Sequence, residues 1–247
     1  MVQYDLLDQE AEAQALRQPG RKPGAVPWSV RDVFAIIALV AAADLVILGL
    51  FLRLLSPTST EIIQDPLLSL AFLLLQWGVT LGAALGYLRL RRYSFRPATL
   101  GFRPTAPVMA ALMVLAVLFL AYTGSAVYDQ FITPQPQQAL QEIQPGIYNL
   151  ALALLQIVII APLAEETFFR GVIHQGLEQG LGFLPGAVLS ASIFALAHFQ
   201  LDIFVPIFLL GFGFAFLVHR TRSLWPSIGG HMLFNLVGVI ATYTSLR

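Results

Sequence analysis

The stretch NLALALLQIVIIAPLAEETFFRGVI, residues 149–173, decides the fold. Its apolar run is long enough for a membrane-crossing helix, which needs about 20 such residues. Inside that run stand two carboxylates and a guanidinium, Glu165, Glu166 and Arg170, and the apolar Phe168, Phe169, Val172 and Ile173 continue past the charges. An ionisable side chain at the centre of a membrane helix costs roughly 2.5–3.5 kcal/mol on insertion scales. A chain that places three in one span reads as using them.

Composition agrees with a membrane solvent. The 247 residues are 57% hydrophobic and 11% charged, against about 25% charged in ordinary soluble domains. The net charge is zero, which gives no reason to expect a nucleic-acid partner. The absence of cysteine excludes disulfides, thiolate zinc sites, thiol nucleophiles and S-palmitoylation. Residues 1–30 form a polar, cytoplasmic N-terminal segment. It carries Asp5, Asp8, Glu10 and Glu12 and lacks the basic start of a secretory signal, so the first apolar run is expected to be an uncleaved anchor.

Working outward, seven apolar segments emerge: 33–55, 67–90, 107–128, 147–175, 185–200, 203–220 and 225–245. The expected fold is all-α, a polytopic helical membrane bundle of about seven transmembrane helices with its N-terminus inside. Residues 31–144 would hold the first three spans and an outer loop, and 145–247 a catalytic core of spans four to seven. Three basic clusters test the count: Arg17, Arg21, Lys22 and Arg31; Arg89, Arg91, Arg92, Arg96 and Arg103; Arg220 and Arg222. An odd number of spans puts all three on the cytoplasmic side, where positive residues are favoured. Glu61, Asp65, Asp202 and the Lys/Arg-free loop 129–146 then fall outside. Gly78, Gly82 and Gly86, spaced every fourth residue, are expected to let a helix approach closely, as are Gly211 and Gly213. Trp28, Trp225, Tyr128 and Tyr148 are expected at the interfaces.

Three short patterns carry chemistry. In Glu165-Glu166-x-x-x-Arg170, Glu166 precedes Arg170 by four residues, the better orientation for a helical ion pair. Glu165 points about 100° away and is left free to accept and return a proton. Pro162 lacks an amide hydrogen and should expose a backbone acceptor one turn earlier. Phe194-x-x-x-His198 places an aromatic ring one turn from an imidazole. His231-x-x-x-Asn235 puts an imidazole and a carboxamide on one face of the last span. Each alone has a structural explanation; His174 and His219 read as interfacial groups, and Asp44 either as a packing hydrogen bond or as a support behind the site residues. Together, acids and histidines on three spans suit a convergent site in a bundle. Glu165 and His198 would polarise a water, and His231 and Asn235 would donate to the oxyanion formed on a peptide carbonyl.

Glu165 and His198 each lie roughly 20 Å from the turn between their helices, and His231 about 9 Å past Trp225, at 1.5 Å per residue. For the three to meet, the hairpin of the fourth and fifth segments must project beyond the bilayer, and the site would open to the cytoplasm.

These three patterns, in this order and spacing, resemble the motifs of the CPBP intramembrane proteases. That family comprises the type II CAAX prenyl endopeptidases and the bacteriocin-processing or immunity (Abi) proteins. The resemblance covers residues 145–245 and implies an endopeptidase with a conical cavity open to the cytoplasm. It implies Glu165 and His198 on water, His231 and Asn235 on the oxyanion, and Glu166, Arg170 and Phe194 in support. The substrate would be a membrane-associated peptide or protein, lipidated and CAAX-like or bearing a leader peptide. Although the family is often labelled metalloprotease, His-Glu-x-x-His and His-x-x-Glu-His are absent. Glu165, His198 and His231 could hold zinc with an open fourth position, or act without a metal, which is the expectation. The alternative is a non-catalytic scaffold or immunity factor that binds a peptide in the same cavity.

Overall fold

The computed structural model describes residues 26–54, 65–93, 96–141, 143 and 145–245. Among them all regular structure is helical. Seven longer elements follow the seven apolar segments. They are α1 (Val30–Leu54), α2 (Pro66–Leu90), α4 (Pro107–Tyr128), α6 (Ile147–Leu181), α7 (Phe183–Leu196), α8 (Phe204–Thr221) and α9 (Trp225–Ser245). Short helices α3 (Pro97–Leu100) and α5 (Gln138–Gln141) lie in the connections. The protein is a helical integral membrane bundle.

Among the described residues, five helices (α1, α2, α4, α6 and α8) are long and apolar enough to cross a membrane. The expected fifth span is shorter: α7 has 14 residues, about 21 Å, less than the hydrocarbon core. The fourth segment is longer than expected, an unbroken helix from Ile147 to Leu181. Of the expected basic and acidic markers, Arg17, Arg21, Lys22 and Glu61 lie outside the described residues, as do Asp5, Asp8, Glu10 and Glu12.

The α6–α7 hairpin is the organising unit. Its turn is one residue, Gly182, at φ +86°, a backbone conformation that costs glycine nothing. Gly186 lies against the Glu178 backbone, where a Cβ would come within 2.7 Å, so the two helices touch directly. One turn before Gly182, Glu178 Oε1 accepts from His219 Nδ1 at 2.7 Å and from Arg222 Nη1 at 3.0 Å, binding the hairpin to the end of α8. His174, expected at an interface, is instead fully buried, with Nε2 3.2 Å from Glu178 Oε2.

Two other expectations change. Trp28 is completely buried rather than interfacial, because its indole N–H donates to the Val172 carbonyl of α6 at 2.9 Å. With Val26 it belongs to the main core, so packed chain begins before the expected end of the polar segment. A Cβ added at Gly78, Gly82 or Gly86 would have no neighbour within 4 Å among the described residues, so these glycines mediate no close approach there. That contact is made by Gly176 and Gly180, also four apart, against Trp28, Val30 and Val33. Asp44 accepts a hydrogen bond from Thr80 at 3.4 Å, joining α1 to α2.

The unforeseen Asp32 organises the start of α1. Its carboxylate accepts from the Ser29 amide and hydroxyl, an N-terminal capping arrangement, and from Tyr87 and Tyr93 hydroxyls at 3.0 and 2.9 Å. At the same end, Leu224 N–H bonds Gly101 O at 2.7 Å and Trp225 packs on Phe102. The N-terminus of α9 is thereby set beside Gly171 of α6, whose near neighbours are Leu100 and Leu224. The α6–α7 hairpin continues about ten residues, roughly 15 Å, past that level.

A Cβ on Gly176 would meet Val33 and Trp28 at 2.5 and 2.7 Å. Gly176→Ala is therefore expected to destabilise the detergent-purified protein by about 1–3 kcal/mol through overpacking. Gly82→Ala should be neutral or stabilising by up to about 1 kcal/mol from helix propensity. Thermal unfolding of the two variants measures the contrast.

Candidate active site

Helix α6 changes its winding twice. The amide of Ala161 bonds Gln156 O, five residues back, closing a wide π-type segment over Leu154–Ile160. Ordinary α-helix returns for Ala161–Glu165, and a second wide segment runs from Glu166 to His174. Such wide turns recur at functional sites. The two glutamates therefore stand on either side of a change in winding, and they face different surroundings.

Glu166 has no solvent access. Its Oε1 accepts from Arg170 Nη1 at 3.0 Å and from His231 Nδ1 at 2.9 Å. Arg170, equally buried, also donates through Nη2 to Gly211 O at 3.1 Å, and its guanidinium lies 4.1 Å over the Phe194 ring and 5.4 Å from that of Phe214. Aromatic faces and a carboxylate replace much of the cation's hydration, while its Nε has no hydrogen-bond partner among the described residues. Gly211 is necessary to this arrangement, since a Cβ there would fall 2.9 Å from Phe194 and 3.2 Å from Arg170.

Glu165 is different. Its side chain retains 16% exposure, and among the described residues its Oε2, like that of Glu166, has no hydrogen-bond partner. Facing it at 3.8 Å is His231 Nε2, too far for a direct bond. One oxygen about 2.8 Å from each would bridge them from the side. Because a carboxylate only accepts, the bond from His231 Nδ1 to Glu166 fixes a proton on that nitrogen.

His198 was expected within a helix. The structure ends α7 at Leu196 and places His198 in the following turn, before Phe199 at φ +55°. Its Nδ1 donates to the Phe194 carbonyl at 2.8 Å, satisfying one of the acceptors a helix end leaves open. A carbonyl cannot donate, so Nδ1 carries a proton, and in the neutral ring Nε2 is the acceptor. Phe194 contacts the ring edge-on at 4.9 Å and that of His231 at 6.0 Å, so one aromatic side chain touches Arg170 and both histidines.

Asn235 is already engaged: its Nδ2 donates to Ile157 O of α6 at 2.8 Å. Sequence reading foresaw Gly211 only as a close-contact glycine, which it is, and missed Gln156. Gln156 accepts from Ser69 and donates to Pro66 O, tying α2 to α6. A polar Gln156 inside an apolar run was a readable signal; the Gly211 role, which is played by a backbone carbonyl, was not.

Among the described residues no group of three or more His, Asp or Glu side chains is placed to hold a metal ion. Glu165, His198 and His231 are thus not gathered as a three-ligand set, and two of the four imidazole nitrogens are committed to Glu166 and Phe194.

Removing one partner of a buried ion pair leaves the other uncompensated, at a cost of about 3–5 kcal/mol. Glu166→Gln is expected to lower unfolding stability by that amount. Glu165→Gln, whose carboxylate makes no such pair, should stay within about 1 kcal/mol of the parent. Unfolding in detergent separates the two glutamates.

A family model described as type II CAAX prenyl endopeptidase Rce1-like matches residues 147–237, the region from α6 into α9. The chain is also 28% identical over 144 residues to the "Putative membrane peptidase YdiL" of Bacillus subtilis (strain 168), over 56% of this chain and 59% of that one. It therefore spans about three-fifths of the curated relative it matches. No solved structure matches the chain significantly. All three motifs fall inside the region that the Rce1-like model matches, which is less than half of the chain, and the two likenesses together support a membrane protease of the CPBP family.

Proposed function

We propose that this protein is an intramembrane endopeptidase that hydrolyses peptide bonds of membrane-associated substrates with activated water. The observation that carries the reading is Glu165: a partly accessible carboxylate bound to no cation among the described residues, beside a second, fully buried carboxylate whose Oε1 is held by both Arg170 and His231.

Glu165 takes a proton from a water as the water oxygen bonds to the scissile carbonyl carbon. His198 Nε2, held as an acceptor by the bond its Nδ1 makes to Phe194, orients that water. The carbonyl π electrons move to oxygen. His231, when protonated on both nitrogens, keeps Nδ1–H on Glu166 and offers Nε2–H to the developing oxyanion. Collapse of the intermediate breaks the C–N bond, and Glu165 returns its proton to the leaving amine. No step requires a metal.

The substrate class is a membrane-bound protein or peptide, lipidated and CAAX-like or bearing a leader peptide. Entry from the cytoplasmic side is supported by depth. His231 lies about 9 Å past Trp225, at the end carrying Arg96, Arg103 and Arg222, and α9 continues roughly 21 Å beyond His231.

Purified protein in proteoliposomes, with its metal content measured, tests the reading on a panel of membrane-anchored peptides analysed by mass spectrometry. Glu165→Gln and His198→Ala are expected to lower turnover by about 10²–10⁴-fold, the range of general acid–base catalysis, with folding retained. Full activity of folded Glu165→Gln protein would sink the assignment. Stoichiometric zinc lost together with activity would sink the metal-free step. A cellular phenotype unchanged by both substitutions would instead favour a peptide-binding scaffold.

A further inference from the structure

We propose that Asn235 is a positioning residue: its side chain supplies the hydrogen bond that Pro162 withholds from α6, and so holds α9 in the register that brings His231 to Glu165 and Glu166. The register itself points to this. Ala161 donates to Gln156 O, five residues back. In the same winding the next amide, that of residue 162, would donate to Ile157 O. Residue 162 is proline and has no amide hydrogen. Ile157 O is the carbonyl that receives Asn235 Nδ2, at 2.8 Å.

The bond has two consequences. An acceptor left without a donor in an apolar bundle is costly, so a donor from a neighbouring helix stabilises the wide segment just before the glutamates. The same bond also fixes α9. Asn235 lies one turn beyond His231, and His231 Nδ1 is bonded to Glu166. The two bonds join α9 to α6 on opposite sides of buried Pro162. Losing the Asn235 bond frees α9 to shift, and with it the 3.8 Å approach of His231 Nε2 to Glu165. The bond commits one of the two amide hydrogens of Asn235 to α6. This role in catalysis rests on the peptidase reading; the hydrogen bond does not.

A double-mutant cycle between Asn235→Ala and Pro162→Ala tests the proposal in the full-length, detergent-purified protein. Alanine at 162 restores an amide hydrogen, so Ile157 O gains a backbone donor and no longer needs Asn235. Asn235→Ala alone is expected to lower Tm and to reduce kcat by about tenfold or more, as for an unsatisfied buried acceptor, with a smaller change in KM. Pro162→Ala alone should keep kcat close to the parent. In the double variant, the Tm loss should at least halve and most of kcat should return. Asn235→Asp, whose carboxylate cannot donate, should behave as Asn235→Ala and be rescued in the same way. Equal loss of kcat in both backgrounds would mean that Asn235 acts directly on substrate, and would overturn the proposal. If the parent protein cleaves no peptide, the peptidase reading fails and the Tm cycle still decides: additive losses overturn the proposal and non-additive losses support it.

Discussion

A carboxylate and a guanidinium sealed inside an apolar bundle must meet, or the fold cannot hold them. Glu166 and Arg170 meet at 3.0 Å with no solvent access to either. Much of the functional half of the molecule is arranged around that pair. Phe194 and Phe214 cover the guanidinium, Gly211 stays small and offers its carbonyl, and His231 donates to the carboxylate from α9. Four helices, α6 to α9, are thereby committed to one point. Glu165 is left beside it with an open valence and a histidine in reach.

A second constraint is backbone accounting inside α6. Wide turns leave carbonyls out of the regular helical pattern, and lipid provides no donors. Around both wide segments the donors come from side chains: Asn235 to Ile157, Gln175 to Gly171, Trp28 to Val172, and a longer contact from Ser190 to Phe169. These come from α9, α6 itself, the chain before α1, and α7. The irregular helix thus recruits its neighbours through hydrogen bonds as well as packing. The buried position of Trp28 follows from this and not from any preference of indole for an interface.

Much of the architecture was readable. Runs of apolar residues anticipated the seven longer helices, although α7, at 14 residues, falls short of membrane length, and the i,i+4 spacing of Glu166 and Arg170 anticipated their pairing. Pro162 announced an exposed acceptor. Reading by spacing failed where partners are remote in sequence. The Gly78, Gly82 and Gly86 series has the right period and no neighbour, whereas Gly176 and Gly180 have both. His198 was assigned to a helix because its surroundings are apolar, but α7 stops two residues earlier. Hydropathy does not register a chain reversal inside an apolar segment.

By itself the sequence determined the solvent, the helices and the chemical groups available, because these follow from composition and local period. It also determined which acid could pair within its own helix, since four residues of helix fix that distance. Only the tertiary structure decided which acid stayed free, where each histidine put its proton, and what Asn235 touches. Those outcomes depend on carbonyls and rings delivered by other helices: Phe194 O for His198, Ile157 O for Asn235, and the Gly211 backbone for Arg170. A backbone acceptor has no residue-type signature, so its role appears only when the helices are packed.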